Sequence, residues 1–171
     1  MIDGVFSSLI YTGVVKKLVY RFKYPPYLRD LESSLVTLFY EGLIQKESFY
    51  GAMRTRPVLV PIPLHAARLR KRGYNQSQLL AQGIGKQFAL PIIPVLSRVK
   101  KTSTQVGKTG EERDTNMQGA FAFRPDASFI PLSVLLVDDV TTSGATLREA
   151  AKVLKRAGVK KVWGITLAHG L

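Results

Sequence analysis

The chain has no cysteine. That absence excludes disulfides and any cysteine-ligated metal site, and it fits a reducing compartment, so a cytoplasmic protein without zinc is expected. No run of about 18 successive apolar residues occurs, which argues against a transmembrane helix and against membrane insertion. Asp3 stands near the amino end and no basic-then-apolar segment follows, so no signal peptide is expected. Acids are scarce: 12 Asp and Glu face 25 Lys and Arg, for a net charge of +13. Such an excess points either to a polyanionic partner or to a generally basic surface. There is no internal repeat and no linker. At 171 residues and 46% hydrophobic, the chain is expected to form one globular domain with a substantial core.

What is present centres on Val134 to Thr146, VLLVDDVTTSGAT. Val134 to Val137 reads as a short buried strand, and Asp138 and Asp139 mark where it leaves the core. Thr141, Thr142, Ser143, Gly144, Ala145 and Thr146 suit a tight turn with inward-pointing amides. A helix follows, with Thr146 and Glu149 placed for a capping box and Leu147, Ala150, Ala151, Leu154 and Ala157 on one face. Gly158 is the expected stop, and Val162 to Ala168 the next strand. The result is a β-loop-α-β unit with its loop at the carboxyl end of a strand, where open α/β sheets bind ligands.

Free amides and hydroxyls at a helix start favour a phosphate by roughly 0.3–1 kcal/mol. Two acids beside that phosphate would repel it unless something intervened. A ribose resolves the conflict, because its 2′ and 3′ hydroxyls donate to carboxylates while its 5′-phosphate lies in the loop. The ligand implied is a ribose 5-phosphate. Gly107-Lys108-Thr109 does not complete a P-loop, since Thr102 occupies the place of the first glycine. A helix cap alone would need one acid, not two followed by a polar loop.

LLVDDVTTSGAT resembles the phosphoribosyl pyrophosphate (PRPP) motif of type I phosphoribosyltransferases. Upstream, Gly13 to Tyr24 alternates apolar and basic residues as a helix, with Val14, Val15, Leu18, Val19 and Phe22 inward, ended by Pro25-Pro26. Lys16, Lys17, Arg21 and Lys23, interleaved with Tyr20 and Tyr24, form either a solvated face or one able to bind a nucleic-acid backbone and stack bases. A helix from about Leu31 to Ile44 follows. Val58 to Ile62 is a strand that Pro61 and Pro63 confine to an edge or keep short. Another helix runs from Asn75 or Ser77 to Ala89, then a strand near Ile92 to Leu96. Arg98 to Asn116 is polar and aperiodic and reads as a loop, with Phe121 and Phe123 starting a strand and Pro125 to Pro131 a connector.

VPIPLHAARLRKRGYNQSQLLA resembles the ComF family of phosphoribosyltransferase-like proteins, which includes late-competence proteins of bacterial DNA uptake. Gly13, Arg21-Phe22-Lys23-Tyr24, Arg98, Thr102, Gln105, Arg113, Asn116 and Ala120-Phe121 extend the match along nearly the whole chain. Many members carry a four-cysteine zinc module before this domain; Met1-Ile2-Asp3-Gly4 falls where that module would end, so either the chain lacks it or the sequence begins after it. The resemblance implies an α/β fold, a mostly parallel open sheet of type I phosphoribosyltransferase kind with helices on both faces. It implies a single such domain over residues 1–171, with a helical part over about residues 1–50.

The resemblance further implies displacement of pyrophosphate from the anomeric carbon of PRPP, with Mg²⁺ as cofactor. Asp138 and Asp139 would take the ribose hydroxyls and assist the metal through water, and residues 141 to 146 would take the 5′-phosphate. Leu64, His65, Arg68 and Arg72 belong to the pyrophosphate region, and Gln105 to Arg113 to a mobile loop that closes over PRPP. The acceptor is not legible. Single-stranded DNA and competence proteins are candidate partners in DNA uptake. The alternatives are a nucleobase phosphoribosyltransferase of salvage and a non-catalytic PRPP sensor.

Overall fold

Residues 1–25, 29–102, 110–124 and 129–170 are described by the computed structural model. The elements run β1 (Gly4–Ile10), α1 (Gly13–Lys23), a 3₁₀ turn at Arg29–Leu31, α2 (Glu32–Ile44), α3 (Glu47–Met53), β2 (Val58–Pro61), α4 (Ala66–Arg72) and α5 (Gln76–Phe88). After them come β3 (Leu96–Arg98), α6 (Gly110–Met117), β4 (Phe121–Phe123), β5 (Ser133–Thr141), α7 (Ala145–Arg156) and β6 (Lys161–His169). Four strands form a parallel sheet in the order β1-β6-β5-β2, and β3 pairs antiparallel with β4 beside it. This is the expected α/β architecture, a mostly parallel sheet with helices on both faces. Among the described residues, no helix is long and apolar enough to cross a membrane.

Successive strand side chains point to opposite faces, and here both faces are apolar, so the sheet has a core on each side. Leu59, Leu135, Val137, Ile165 and Leu167 join Val19, Phe22, Phe39, Leu80 and Ile84 from α1, α2 and α5. Val58, Val60, Val134, Leu136 and Val162 join Leu147, Ala151 and Leu154 of α7 with Met117 and Phe121. Gly164 of β6 lets α7 approach, since a Cβ there would lie 2.8 Å from Leu147 Cδ1.

Several local expectations need correction. The amino-terminal part is not all helical: β1 is a strand, parallel to β6. Ser7 and Ser8 interrupt its apolar pattern, yet both hydroxyls are bonded, Ser7 with Thr166 at 2.7 Å and Ser8 to the Phe39 carbonyl at 2.7 Å. Val14 lies on the outside of α1, 70% exposed, while Val19 and Phe22 are fully buried. The aperiodic stretch after Arg98 contains α6, anchored by the buried Met117. Residues 103–109 and 125–128 lie outside the described residues, and with them Gln105 and most of the 125–131 connector. Ile92 makes a single bridge to Leu59 rather than starting a strand that reaches Leu96.

The expected capping box does not form. Gly144 is the N-cap of α7, and Glu149 Oε1 accepts the Gly119 N–H at 2.9 Å instead. By contrast β2 takes the sheet-edge position that its prolines favour.

Gly42 of α2 crosses β1 so closely that a Cβ would sit 2.4 Å from Ser8 Cβ and 2.8 Å from Ser8 Cα. Backbone cannot give way as a flexible side chain can. Gly42→Ala is therefore expected to lower stability by about 1–3 kcal/mol, read as a lower urea midpoint at unchanged slope.

Candidate functional site

Because the four strands are parallel, their carboxyl ends share one edge. β5 does not end at its acids. It stays paired with β6 through Asp138↔Thr166, Val140↔Ala168 and Thr141↔His169. The acids were expected to mark the exit from the core; instead Asp138 is 8% and Asp139 2% exposed. Alternation places Asp139 on the side of Leu135 and Val137, where α1 ends.

Each acid has its own surroundings. Asp138 Oδ1 accepts the Ser77 hydroxyl at 3.0 Å and the Asp139 N–H at 2.9 Å. Asp139 Oδ1 accepts the Val140 N–H at 2.6 Å and pairs with Lys23 Nζ at 2.7 Å. Asp139 Oδ2 is buried with no hydrogen-bond partner. Burial, reinforced by the Asp139 charge, pushes the Asp138 carboxyl up to about 7 against the opposing pull of Lys23. Burial disfavours the Lys23 ammonium, but Asp139 and Asp138 overcome that and hold it above the ordinary lysine range. Burial also raises the nearby Tyr11 hydroxyl.

The loop expected to take the phosphate is shorter than residues 141–146. Thr141 closes β5, and its carbonyl accepts the Gly170 N–H at 2.8 Å. Ala145 and Thr146 already belong to α7, leaving Thr142, Ser143 and Gly144 as the turn between strand and helix. Gly144 has φ +78°, a left-handed conformation that suits glycine. Arg148 braces this turn, donating to the Ser143 carbonyl and pairing with Asp114 of α6.

The segment after β2 reaches the same edge. The Ile62 N–H donates to the Val137 carbonyl at 2.9 Å, and Asn75 Nδ2 donates to the Ile62 carbonyl at 3.0 Å. Pro63 and Leu64, both half-buried, follow Ile62 in this connection. His65 is a helix cap: its Nδ1 accepts the Ala67 N–H at 3.2 Å. Arg68 donates to the Thr102 carbonyl at 2.8 Å, while Arg72 donates to Gln76 and lies over the Tyr24 ring at 5.7 Å. Arg113 of the expected mobile loop lies on α6, beside the Asp114–Arg148 pair.

Three contributors carried no site assignment from the sequence. The sequence groups Lys23 with a basic face that is either solvated or nucleic-acid-binding, but Val15, Val19 and Lys23 share one helical stripe, and that spacing sends Lys23 inward. Ser77 sits at the start of α5, where Asn75 caps the helix. Arg98 is held near Asp138; burial, then Arg68, lowers its guanidinium to about 10 while Asp138 opposes the shift. Its Nε is buried without a partner and its guanidinium lies 5.4 Å over the Phe121 ring.

No group of three or more His, Cys, Asp or Glu side chains gathers to hold a metal among the described residues. Asp138 and Asp139 together are too few for a full oxygen cage. The unpartnered Oδ2 of Asp139 nevertheless fits an outer-sphere role, accepting from a metal-bound water or from a sugar hydroxyl.

Residues 41–170 match the model of the phosphoribosyl transferase domain. Competence protein F of Haemophilus influenzae is 33% identical over 155 residues, which is 88% of this chain and 67% of that protein. DNA utilization protein YhgH of Salmonella typhimurium is 29% identical over 89% of this chain and 66% of its own length. Competence protein ComFC of Streptococcus pneumoniae is 30% identical over 64% of this chain and 47% of its own length. The chain thus spans about two thirds of the first two relatives, or less.

A carboxyl whose folded pKa is raised binds more protons in the native than in the unfolded state, so its contribution to stability falls as pH rises from about 4 toward 7. Asp138→Asn removes that titration. Urea midpoints are expected to drop between about pH 5 and pH 8 in the wild type and to drop less in the variant.

Proposed function

The chain belongs to the ComF family of phosphoribosyltransferase-like proteins, and from that premise we propose that it binds PRPP at the carboxyl edge of its sheet and serves DNA uptake in the cytoplasm. The supporting observation is the succession of an acid pair inside the paired stretch of β5, two residues before its end at Thr141, then a turn at Thr142–Gly144 and the start of α7. The sugar hydroxyls would donate to Asp138 and Asp139. The 5′-phosphate would take amides between residues 141 and 146, helped by the positive end of a helix of 12 residues.

Leu64, His65, Arg68 and Arg72 would border the pyrophosphate. Both arginines have protein partners, so their part is to shape that border and supply positive potential. Mg²⁺ arriving with PRPP would neutralise the departing pyrophosphate, with Asp138 and Asp139 holding it through water. The chain's residues need not supply a nucleophile. They fix the sugar, hold the Asp139 side chain in place beside Lys23 and exclude water while the glycosidic bond opens, and preorganised charge carries much of such a rate gain.

Single-stranded DNA as a partner has its own support. Lys16, Lys17, Tyr20 and Arg21 form an exposed face of α1 on a chain of net charge +13. The rings of Tyr20 and Tyr24 lie with centroids 4.8 Å apart, tilted by 34°. Tyr20, 53% exposed, is placed to stack a base.

Two outcomes are expected. Asp138→Ala combined with Asp139→Ala weakens PRPP binding at least about tenfold, or about 1.4 kcal/mol, by calorimetry, and unchanged affinity removes the ligand assignment. Binding of a short single-stranded oligonucleotide falls steeply with salt, with a shallower slope for Lys17→Ala combined with Arg21→Ala. Pyrophosphate release with one nucleobase from a panel would instead indicate a salvage enzyme. Tight PRPP binding without DNA binding or turnover would indicate a sensor.

A further inference from the structure

The rim of the sheet opposite the acid pair carries a patch that the ligand edge does not use. Just ahead of β5, Phe129 is 51%, Ile130 49% and Leu132 72% exposed. Apolar side chains scattered singly on a surface need no explanation, but a run of large ones does. The segment is fastened in place. Pro131 is buried among them, and the Leu132 carbonyl accepts the N–H groups of both Lys160 and Lys161 at 3.0 Å. A Cβ added at Gly158 would lie 3.9 Å from the Ile130 side chain, so the turn after α7 backs onto the patch.

Cations border this apolar tip. The end of α7 and the turn into β6 bear Arg156, Lys160 and Lys161, all exposed. Lys155 joins them, its Nζ 2.7 Å from the Asp3 carboxylate and 2.7 Å from the Lys160 carbonyl. Asp3 answers Lys155 and, at 3.7 Å, Lys161, so these four cations and one acid leave an excess of three positive charges beside the tip.

From this geometry we infer that the amino rim of the sheet is a peripheral lipid-binding surface: Phe129, Ile130 and Leu132 enter the headgroup layer of an anionic bilayer, and Arg156, Lys160 and Lys161 lie against its phosphates. This surface does not depend on what binds at the carboxyl edge. A nucleic-acid strand would satisfy the cations but leave Ile130 and Leu132 in water. An uncharged apolar partner would cover the tip but desolvate the cations without compensation. An anionic membrane surface offers both environments at once, apolar within and charged at its face, which is how interfacial segments are held. The contact is peripheral, since among the described residues no helix is long and apolar enough to cross a membrane.

The nine residues of β6, Lys161–His169, separate this rim from the ligand edge by about 30 Å. The exposed basic face of α1 belongs to that far edge, because α1 starts just after the carboxyl end of β1 and finishes with Lys23 against Asp139. A protein lying on its amino rim thus holds both the acid pair and the α1 face toward the aqueous phase.

Co-sedimentation with vesicles of phosphatidylglycerol and phosphatidylcholine, compared with vesicles of phosphatidylcholine alone, tests this surface. Wild-type protein is expected to partition onto the anionic vesicles at least about tenfold more strongly than onto the neutral ones, and less so as salt rises. Ile130→Ser combined with Leu132→Ser, and separately Arg156→Gln combined with Lys160→Gln, are each expected to cut that partitioning about tenfold. Lys17→Ala combined with Arg21→Ala is expected to keep it within about threefold, since that face lies well beyond a Debye length of about 8 Å from the bilayer. Because the chain has no cysteine, Leu132→Cys carries a single polarity-sensitive fluorophore, and its emission is expected to move to shorter wavelength on the anionic vesicles. This last readout stands even where a doubly substituted tip fails to fold. Wild-type protein that ignores anionic vesicles, folded tip variants that bind them as well as wild type, loss of binding in the α1 variant, or an unmoved emission each overturns the inference. A dimer in vesicle-free solution that Ile130→Ser with Leu132→Ser dissociates overturns it too, by assigning the tip to a second copy of the chain.

Discussion

Two adjacent carboxylates cannot both be ionised at the end of a buried strand unless something offsets their charge. Here a lysine from the first helix does so for one of them, and burial lets the other keep its proton near neutrality. Much of the architecture follows from that requirement. α1 must end beside β5, so its buried face continues Val19 and Phe22 into the larger core. Tyr74 and Arg72 must hold that end in place, so the connection from α4 to α5 folds back over it. Removing one partner of a buried pair leaves an uncompensated charge, which is why such pairs are costly to break even where their net contribution to stability is small.

The central unit was legible because its signals agree with one another. An unbroken apolar strand, two acids, small polar residues and an amphipathic helix each favour the same local structure. The helices of α2 and α5 were legible for the same reason, with Leu35, Phe39, Leu79, Leu80 and Ile84 all found inside. β1 was not, since Ser7 and Ser8 break its pattern and find partners only in Thr166 and Phe39, far away in sequence. α6 was hidden because it has one buried apolar residue, Met117, and is held to α7 by polar links from Arg148 and Glu149. Tertiary contacts overrode local preference in both cases.

For the site, the acids and the turn were read from the residues, and the remaining assignments came from family resemblance. Lys23 was read as a surface cation because basic residues on a helix usually are. Only the third dimension separates it from Lys16 and Lys17, which stay exposed. Ser77 and Arg98 likewise needed the fold, since each lies about 40 to 60 residues from Asp138 in the chain. Composition reported the charge excess but not its distribution, and one of those charges proves to be internal.

The two ends of the described chain leave the sheet at opposite rims. Asp3 enters β1 at the amino rim, where Lys155 Nζ lies 2.7 Å from its carboxylate and the Val162 N–H donates to it at 2.7 Å. Gly170 departs at the carboxyl rim, against the Thr141 carbonyl, where an added Cβ would lie 2.8 Å from Thr142 Cγ2. Gly170 therefore lies at the mouth of the Thr142–Gly144 turn, whereas Asp3 stands a full strand length away. A bulky group attached on the amino rim near Asp3 leaves that mouth open, whereas one attached near Gly170 obstructs it.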